Sequence, residues 1–253
     1  MLTEDRRDKI VDMVRKAGSA TVPELADALG TSPSTIRRDL VELDASHRLL
    51  KVHGGATTLE RAHVTRDLTI PERRDLHTGE KDVIARYAAS LIQPEGFVYI
   101  DSGSTTLRLI ACLPETPSVT YVTNSVGHAR RLMARGLRTV VLGGELKPQT
   151  EALVGPDALA TLDRYWFSCG FWGANGVSLE AGLTTPGIEE AQVKRISIRH
   201  AAHPYVLCDA SKFGMVAPVK FSELDDVTIL TTGAVPEAYA KLGAIVKIAE
   251  DVL

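Results

Sequence analysis

The sequence predicts a small winged helix-turn-helix domain followed by an α/β domain built on a parallel sheet. Three short amphipathic helices and an apolar strand ending in a glycine pair occupy residues 1–57. From residue 79 to residue 253, apolar strands alternate with helices, which is typical of a parallel sheet covered on both faces. Residues 58–78 are polar and charge-rich without sustained periodicity, and we interpret them as a linker. A chain of 253 residues is long enough for both domains.

The first two helices are indicated by apolar spacing and by residues typical of helix ends. Ile10 and Val14 recur at helical spacing within residues 3–17, and a glycine follows. The stretch Thr21-Val22-Pro23-Glu24 is typical of a capped helix start, and this second helix ends at Gly30.

The third helix begins at Ser32, whose hydroxyl can accept a hydrogen bond from a free backbone N–H. Proline suits the next position because its missing N–H is not needed there. Ile36, Leu40 and Leu43 recur at i, i+4 and i+7, so they form one buried stripe. The remaining face carries Ser34, Thr35, Arg37 and Arg38. Hydroxyl and guanidinium groups bind phosphates and base edges, so we predict that these four residues contact the major groove of DNA.

The short apolar strand that follows this helix is typical of a β wing. It begins at Arg48 and leads through Lys51 and His53 to the glycine pair, and we predict that these three residues contact DNA. Three amphipathic helices also occur in modules that bind proteins. Charge does not decide between the two, because residues 1–56 contain nine Lys or Arg and nine Asp or Glu residues. We therefore expect modest non-specific affinity for DNA.

The second domain contains six predicted strands. An amphipathic helix at residues 81–92 precedes strands at residues 97–100, 119–122, 139–142, 165–171, 205–208 and 228–230. Ligands of parallel sheets bind at the carboxyl ends of the strands. The first strand leads into Asp101, Ser102, Gly103, Ser104, Thr105 and Thr106, followed by a helix. Hydroxyls, free N–H groups and the helix dipole suit a phosphate there, although these residues could also simply cap the helix.

Other strand ends add polar groups. They contribute Asn124, Ser125, Gly143, Gly144 and Lys212, and Lys194 lies in a later helix four residues after Glu190. Glu190 and Lys194 could form only a surface ion pair, and each of these features alone is weak. Together they predict a pocket for a small anion with hydroxyl groups, such as a sugar phosphate. The loop lacks the spacing of a Walker motif.

Several stretches resemble the DeoR family, bacterial regulators of sugar metabolism that are mostly repressors. In the first domain these are Ser32-x-x-Thr35-Ile36-Arg37-Arg38-Asp39-Leu40 and the residues 51–56. In the second domain they are residues 101–106, 122–125, 142–144, 173–176, 190–195 and 209–214. The resemblance implies a second domain folded like ribose-phosphate isomerases and sugar-phosphate deaminases. It also implies that Asp101 and the hydroxyl-bearing loop at residues 102–106 hold a sugar phosphate, with Asn124, Lys194 and Lys212 nearby.

Four positions depart from the family pattern. His47 replaces a usual glycine, Lys51 a usual arginine, Ser104 a usual threonine and Trp172 a small aliphatic residue. The lysine at position 51 offers a point charge to phosphate without a forked contact. The bulky Trp172 predicts a narrower or more selective pocket.

We therefore predict a DNA-binding transcriptional regulator, a repressor of carbohydrate-metabolism genes, that is switched by a phosphorylated sugar. Two-fold operators make a homo-oligomer, a dimer or tetramer, the expected assembly on double-stranded DNA. One alternative is a sugar-phosphate isomerase or deaminase-like enzyme, but residues 170–176 contain no carboxylate to serve as an acid or base. A second alternative is a constitutive DNA-binding protein with a purely structural second domain.

Composition places further bounds on the function. The net charge of −3 gives no indication of bulk attraction to nucleic acid or membrane. No apolar run reaches the length of a membrane span, and the charged N-terminal residues lack the apolar core of a signal peptide. Cys112, Cys169 and Cys208 are far apart, so we expect reduced, buried thiols in a cytoplasmic protein without a metal site. No cofactor is predicted.

Overall fold

The first domain is a winged helix-turn-helix, as predicted. In the computed structural model, the described residues are 3–17, 19–46, 48–52, 55–57, 62–63, 69–115 and 118–248. The first elements are α1 (Thr3–Ala17), β1 (Ser19–Thr21), α2 (Val22–Leu29), α3 (Pro33–Ala45), β2 (Leu50–Val52) and β3 (Gly55–Thr57). The strands form an antiparallel sheet in the order β1-β3-β2, so the wing is three-stranded.

Local contacts explain where these helices begin and end. The Thr21 and Glu24 side chains form a reciprocal capping box at the start of α2, and Gly30 ends it in the left-handed conformation at φ 60°. Ser32 accepts a hydrogen bond from the Thr35 N–H at the start of α3. The apolar stripes of the helices meet in one core, and burying each of its larger side chains contributes about 1.5–3 kcal/mol. That core includes Ile10, Val14, Leu25, Ile36, Leu40, Leu43 and Leu49.

The predicted linker contains regular structure. Ala62–His63 forms β4, and Ile70–Arg74 forms α4, whose start is capped by Thr69 and Glu72. The next helix, α5, spans Thr78–Ser90, so it begins three residues earlier than predicted. Short capped helices escape detection by periodicity because they contain too few residues to show a period. The domain boundaries at residues 57 and 79 stay predictions.

The second domain is built on a seven-stranded parallel sheet. Its elements are β5 (Phe97–Ile100), α6 (Ser104–Cys112), β6 (Thr120–Thr123), α7 (Val126–Ala134), β7 (Arg138–Val141), β8 (Glu145–Lys147), β9 (Ala152–Val154), α8 (Pro156–Leu162), β10 (Cys169–Gly173), β11 (Gly176–Ser178), β12 (Gly182–Thr185), α9 (Ile188–Arg199), β13 (Pro204–Leu207), a 3-10 turn (Ala210–Lys212), β14 (Met215–Val216), β15 (Val219–Ser222), β16 (Thr228–Thr231), α10 (Glu237–Ala240) and β17 (Ile245–Lys247). The large sheet has the order β17-β16-β13-β10-β5-β6-β7, and all of its pairs are parallel.

The predicted strand at residues 165–171 is wrong in position. The strand β10 lies at Cys169–Gly173, and Phe167 makes only an isolated bridge with Ala201. The apolar run at residues 165–167 resembles a strand, but Tyr165 and Phe167 pack on Phe97 at the opposite end of the sheet, and Trp166 is exposed and stacks on His200. The buried residues of this domain form two apolar clusters, as expected for a sheet covered on both faces.

The parallel order brings four strand ends to one edge of the sheet. The strands β13, β10, β5 and β6 are consecutive neighbours, so the residues after 207, 173, 100 and 123 lie side by side. The β8–β9 hairpin contacts this edge, because the Leu153 N–H donates to the Asn124 carbonyl oxygen at 2.6 Å. Across the described residues, we find no helix with the length and apolar character that a membrane span requires.

Candidate functional site

A cavity of about 580 Å³ opens at this edge of the sheet. Its volume is that of a small-molecule site. Among the residues predicted to bind an effector, Ser102, Gly103, Ser104, Thr105, Lys194 and Lys212 line it. The loop between β5 and α6 therefore contributes its hydroxyls to one wall, and α9 and the 3-10 turn contribute a lysine each.

The hydroxyl loop (residues 102–106) leaves the first turn of α6 without a side-chain cap. Helix starts carry free N–H groups and partial positive charge, which favour an anion. The Thr106 hydroxyl does not line the cavity, because it donates to the Asp101 carbonyl oxygen at 2.7 Å. It also lies 3.1 Å from Nε2 of His128, which burial and the nearby Arg131 hold neutral by lowering its pKa to about 3. Thr106 and His128 thus stabilise the loop on the side that faces away from the cavity.

Asn124 supports the same loop. Its Oδ1 accepts a hydrogen bond from the Ser102 N–H at 3.0 Å, which fixes the backbone at the start of the loop. Because Asn124 is fully buried and does not line the cavity, it positions groups that do.

Three other predicted residues do not reach the cavity. Ser125 caps α7 by accepting a hydrogen bond from the His128 N–H. Gly143 and Gly144 form the turn from β7 into β8, and Gly144 adopts φ 120°. A Cβ on Gly144 would lie 2.4 Å from the Val154 carbonyl oxygen, so this glycine accommodates the hairpin and not a ligand.

Asp101 and Lys194 form a buried ion pair beneath the hydroxyl loop. Lys194 also donates to the Gly173 carbonyl oxygen at 2.9 Å, and the Gly173 N–H donates to Asp101 at 3.2 Å. Burial raises the pKa of Asp101, and the charge of Lys194 opposes that rise. The pair therefore ties the ends of β5 and β10 to α9, while the Asp101 carboxylate itself lies behind the cavity wall.

Glu190 does not form the ion pair with Lys194 that its spacing suggested. Its carboxylate accepts hydrogen bonds from Lys147 at 2.8 Å and from Thr150 at 2.7 Å. Burial acts to raise the pKa of Glu190, but these hydrogen bonds and Lys194 lower it on balance. Both Glu190 and Thr150 line the cavity.

The prediction that Trp172 narrows the pocket is wrong. Alternate residues of a strand point to opposite faces, and Trp172 points into the core between the sheet and α9. It is fully buried, it donates from Nε1 to the Ser197 hydroxyl at 2.9 Å, and it stacks on Tyr99. Gly173 lines the cavity at the next position.

Much of the cavity wall was not predicted. The missed residues outside the winged domain include Arg73, Leu76, His77, Glu80, Lys81, Asn175, Asp209 and Ser211. Five of these lie in α4, in α5 or between them, where charged residues are typical of a linker and a solvated helix face. Asp209 lies within a stretch that carried the family resemblance, so its strand-end position could have identified it.

The predicted DNA-contacting face of α3 is solvent-exposed at Ser34, Arg37 and Arg38. No ion pair forms at Arg37 or Arg38 among the residues that the structure describes. Thr35 is half-buried, and its hydroxyl lies 2.9 Å from that of Ser32. The neighbouring Asp39 is buried and binds Arg6 at 2.6 Å and Arg7 at 3.3 Å, so it fastens α3 to α1.

In the wing, Arg48 binds Asp8 of α1 at 2.6 Å, and the Lys51 side chain is exposed. The other predicted contact, His53, and the departure at His47 lie outside the described residues. The winged domain also reaches the cavity, because Asp44, Ala45 and Leu49 line it together with the second domain. One site thus adjoins both domains.

The cysteines are free thiols, with Cys169 and Cys208 buried and Cys112 only half-buried. Within the described ranges, no three His, Cys, Asp or Glu side chains are grouped as a metal site would require.

Comparison with known families decides what this arrangement is. Residues 6–62 match the model of the DeoR-like helix-turn-helix domain, and residues 76–234 match the model of the DeoR C-terminal sensor domain. The chain belongs to the DeoR family. It is therefore a DNA-binding transcriptional regulator with a sensor domain, and the cavity lies within that sensor domain and against the winged domain.

Relatives match over nearly the full chain. It is 39% identical to the HTH-type transcriptional regulator FruR of Bacillus subtilis, described as uncharacterized, over 92% of each chain. It is 33% identical to the HTH-type transcriptional regulator GlpR of Haloferax volcanii, over 94% of this chain and 92% of that one. It is 32% identical to the lactose phosphotransferase system repressor of Staphylococcus epidermidis, over 90% of this chain and 91% of that one.

Among solved structures, ribose 5-phosphate isomerase A of Methanocaldococcus jannaschii aligns over 53% of each chain, with a TM-score of 0.40 and 22% identity. A likeness at this level carries no statement about activity.

Proposed function

We propose that this DeoR-family regulator represses carbohydrate-metabolism genes and that a phosphorylated sugar in the cavity beside α6 releases it from operator DNA. One observation carries the proposal. The hydroxyl loop and the uncapped start of α6 face a cavity that winged-domain residues, Asp44 among them, also line. A ligand in this cavity lies against both domains.

The chemistry of the cavity supports a phosphate ester. Ser102, Ser104 and Thr105 place hydroxyls on its wall beside the first N–H groups of α6, an arrangement that binds anions. The Lys212 ammonium forms no hydrogen bond or ion pair to any described residue, so it is available to a phosphate oxygen. Asn175 and Glu190 offer polar groups to sugar hydroxyls.

Operator recognition would use the exposed face of α3. We propose that Arg37 and Arg38, with Ser34 and Thr35, enter the major groove and that the wing residues Arg48, Lys51 and His53 meet the DNA backbone. A two-fold arrangement of such domains needs at least two copies, so we propose a dimer or tetramer that works in the cytoplasm.

We propose a direction for the switch from the charges at the cavity. The Asp44 carboxylate of the winged domain lines the same cavity as the hydroxyl loop. A phosphate bound there repels it, and a ligand shifts an equilibrium toward the domain arrangement that it binds more tightly. We propose that this shift moves the winged domain out of the geometry that binds DNA.

We propose no catalytic role. An isomerase needs a base with a pKa near neutrality. Two carboxylates at the cavity have lowered pKa values instead: hydrogen bonds from Lys147 and Thr150 lower that of Glu190, and Lys212 and Ser211 lower that of Asp209. The relatives compared above carry the names of regulators and repressors.

A thermal-shift screen of the full chain tests the proposal. The panel contains glucose 6-phosphate, fructose 1-phosphate, fructose 6-phosphate and glycerol 3-phosphate, each beside its unphosphorylated counterpart. A ligand at 100 times its Kd stabilises the folded chain by about 2.7 kcal/mol. We expect one phosphorylated compound to raise the melting temperature and its unphosphorylated counterpart to leave it unchanged. Equal shifts from both members of each pair would overturn the phosphate site.

A further inference from the structure

Lys81 is a buried lysine that the proposed site does not yet use. It lies in the first turn of α5, is 3% exposed and lines the cavity. Lysine is almost never fully buried unless it is paired, because removing its ammonium from water is costly. Its presence in the wall of a cavity therefore calls for a partner.

Among the described residues, the Lys81 ammonium has one hydrogen-bond acceptor. Its ammonium donates to the Arg73 carbonyl oxygen at 2.6 Å, and an ammonium carries three donors. No carboxylate of the described chain lies within ion-pair distance of it. The pKa of Lys81 is lowered to about 8, mainly by burial and in smaller part by Lys212, Arg108 and Arg73, while Asp209 opposes the shift.

Among the described residues, three cations and one carboxylate act on the Lys81 ammonium. Asp209 is the acidic group that acts on it, and that carboxylate already accepts hydrogen bonds from the backbone and hydroxyl of Ser211. Glu80, the preceding residue in α5, pairs with His77 at 3.3 Å. An incoming dianion would thus add negative charge beside Lys81 and Lys212.

We propose that Lys81 binds the phosphate of the effector, with its ammonium bridging a phosphate oxygen and the Arg73 carbonyl. This inference rests on the proposed function. It adds one residue that binds the ligand and one contact through which ligand binding affects the segment between the domains. Arg73 belongs to the last turn of α4, in the segment between the domains. A bound phosphate would hold the Lys81 ammonium in position, and the same ammonium donates to the Arg73 carbonyl oxygen. Ligand binding therefore strengthens this contact between α5 and α4.

A calorimetric comparison tests the binding role. Wild-type chain and the variants Lys81→Met and Lys81→Gln are titrated with inorganic phosphate and with the panel compound that stabilises the wild type most. We expect both variants to bind roughly 10- to 100-fold more weakly, since each loses a charge-assisted hydrogen bond. Lys220→Met, which removes a lysine outside the cavity, is the matched control and should bind like wild type.

The outcomes separate the two proposals. Wild-type binding together with unchanged affinity in both Lys81 variants would overturn the role of Lys81 and leave the phosphorylated-sugar switch intact. No binding of any compound by the wild type would overturn the switch itself. Folding is checked by circular dichroism, and Lys81→Met should fold because it removes a buried charge.

Two further readouts distinguish a phosphate ligand from a merely structural lysine. At pH 8 a free phosphate monoester is already dianionic, so calorimetry in buffers of different ionisation enthalpy should show net proton uptake on binding, as Lys81 becomes fully charged. Lys81→Gln, which can still donate to the Arg73 carbonyl, should show none. Hydrogen exchange at residues 70–76 should slow on binding in the wild type alone. Equal proton uptake in wild type and Lys81→Gln, or unchanged exchange in wild type, would contradict the bridge.

Discussion

The Asp101 carboxylate and the Lys194 ammonium form an ion pair whose side chains are only 1% and 5% exposed. The pair joins the end of β5 to α9, and both partners bind the backbone of Gly173. Removing one partner of a buried pair leaves an uncompensated charge, which costs about 3–5 kcal/mol.

We therefore expect Lys194→Met to lower the free energy of unfolding by about 3–5 kcal/mol, since Asp101 stays buried without its cation. Urea denaturation followed by circular dichroism measures the change. Lys241→Met is the matched control, because the exposed pair of Lys241 with Glu237 contributes little. Equal midpoints for the two variants would contradict a structural role for the buried pair.

Replacement of Arg37 and Arg38 by alanine should weaken operator binding strongly and leave the melting temperature nearly unchanged, because both side chains are exposed. Fluorescence anisotropy with operator DNA at several salt concentrations measures both affinity and salt dependence. The slope of log affinity against log salt should fall by about one for each DNA phosphate that the variant no longer binds. Arg15→Ala, on the last turn of α1, is the control; intact affinity in the double variant would place the recognition helix elsewhere.

Thr105→Ala and Lys212→Ala should each keep operator binding and lose the response to the effector. Both residues line the cavity, and neither belongs to the winged domain. The measurement is operator affinity with and without the stabilising sugar phosphate. Thr161→Ala serves as control, since its hydroxyl donates within α8 to the Asp157 carbonyl. A full effector response in both cavity variants would move the site away from the hydroxyl loop.

His128 makes stability depend on pH. Burial and Arg131 lower its pKa from 6.5 to about 3, so between these values the unfolded chain binds the proton and the folded chain does not. Its contribution is fully present above pH 6.5 and is lost as the pH falls toward 3, at about 1.4 kcal/mol per pH unit.

We expect the free energy of unfolding of the wild type to fall by roughly 2–3 kcal/mol more than that of His128→Gln between pH 6 and pH 4. Urea denaturation at each pH provides the comparison, and the other titrating groups cancel between the two chains. Parallel curves would show that His128 has the same pKa in the folded and unfolded chains, which contradicts its burial in the neutral form.

The strong local patterns of the sequence were enough to predict most of the frame. Ser32 and Pro33 fix the start of α3, and its apolar stripe lies in the core as expected. The parallel sheet followed from apolar strands that alternate with helices. The strands β1 and β3 of the wing and the hairpin strands β8 and β9 escaped prediction, because a strand of three residues is too short to show a period of two.

The site was only partly predictable, since strand ends identify loops and not side-chain directions. The hydroxyl loop and Lys212 line the cavity, whereas Gly144 serves the turn into the β8–β9 hairpin. Trp172 lies in the core and Gly173 lines the cavity, because the pleat sends successive residues to opposite faces. Lys81 carried no recognisable pattern, because a charged residue in the first turn of an amphipathic helix is ordinarily solvated.

The most direct test is a titration of the wild-type chain bound to labelled operator with the sugar phosphate that stabilises it. Our account predicts that operator affinity falls as the ligand saturates the sensor domain and that the unphosphorylated sugar has no effect. Operator affinity that stays constant while calorimetry reports a filled cavity would contradict it.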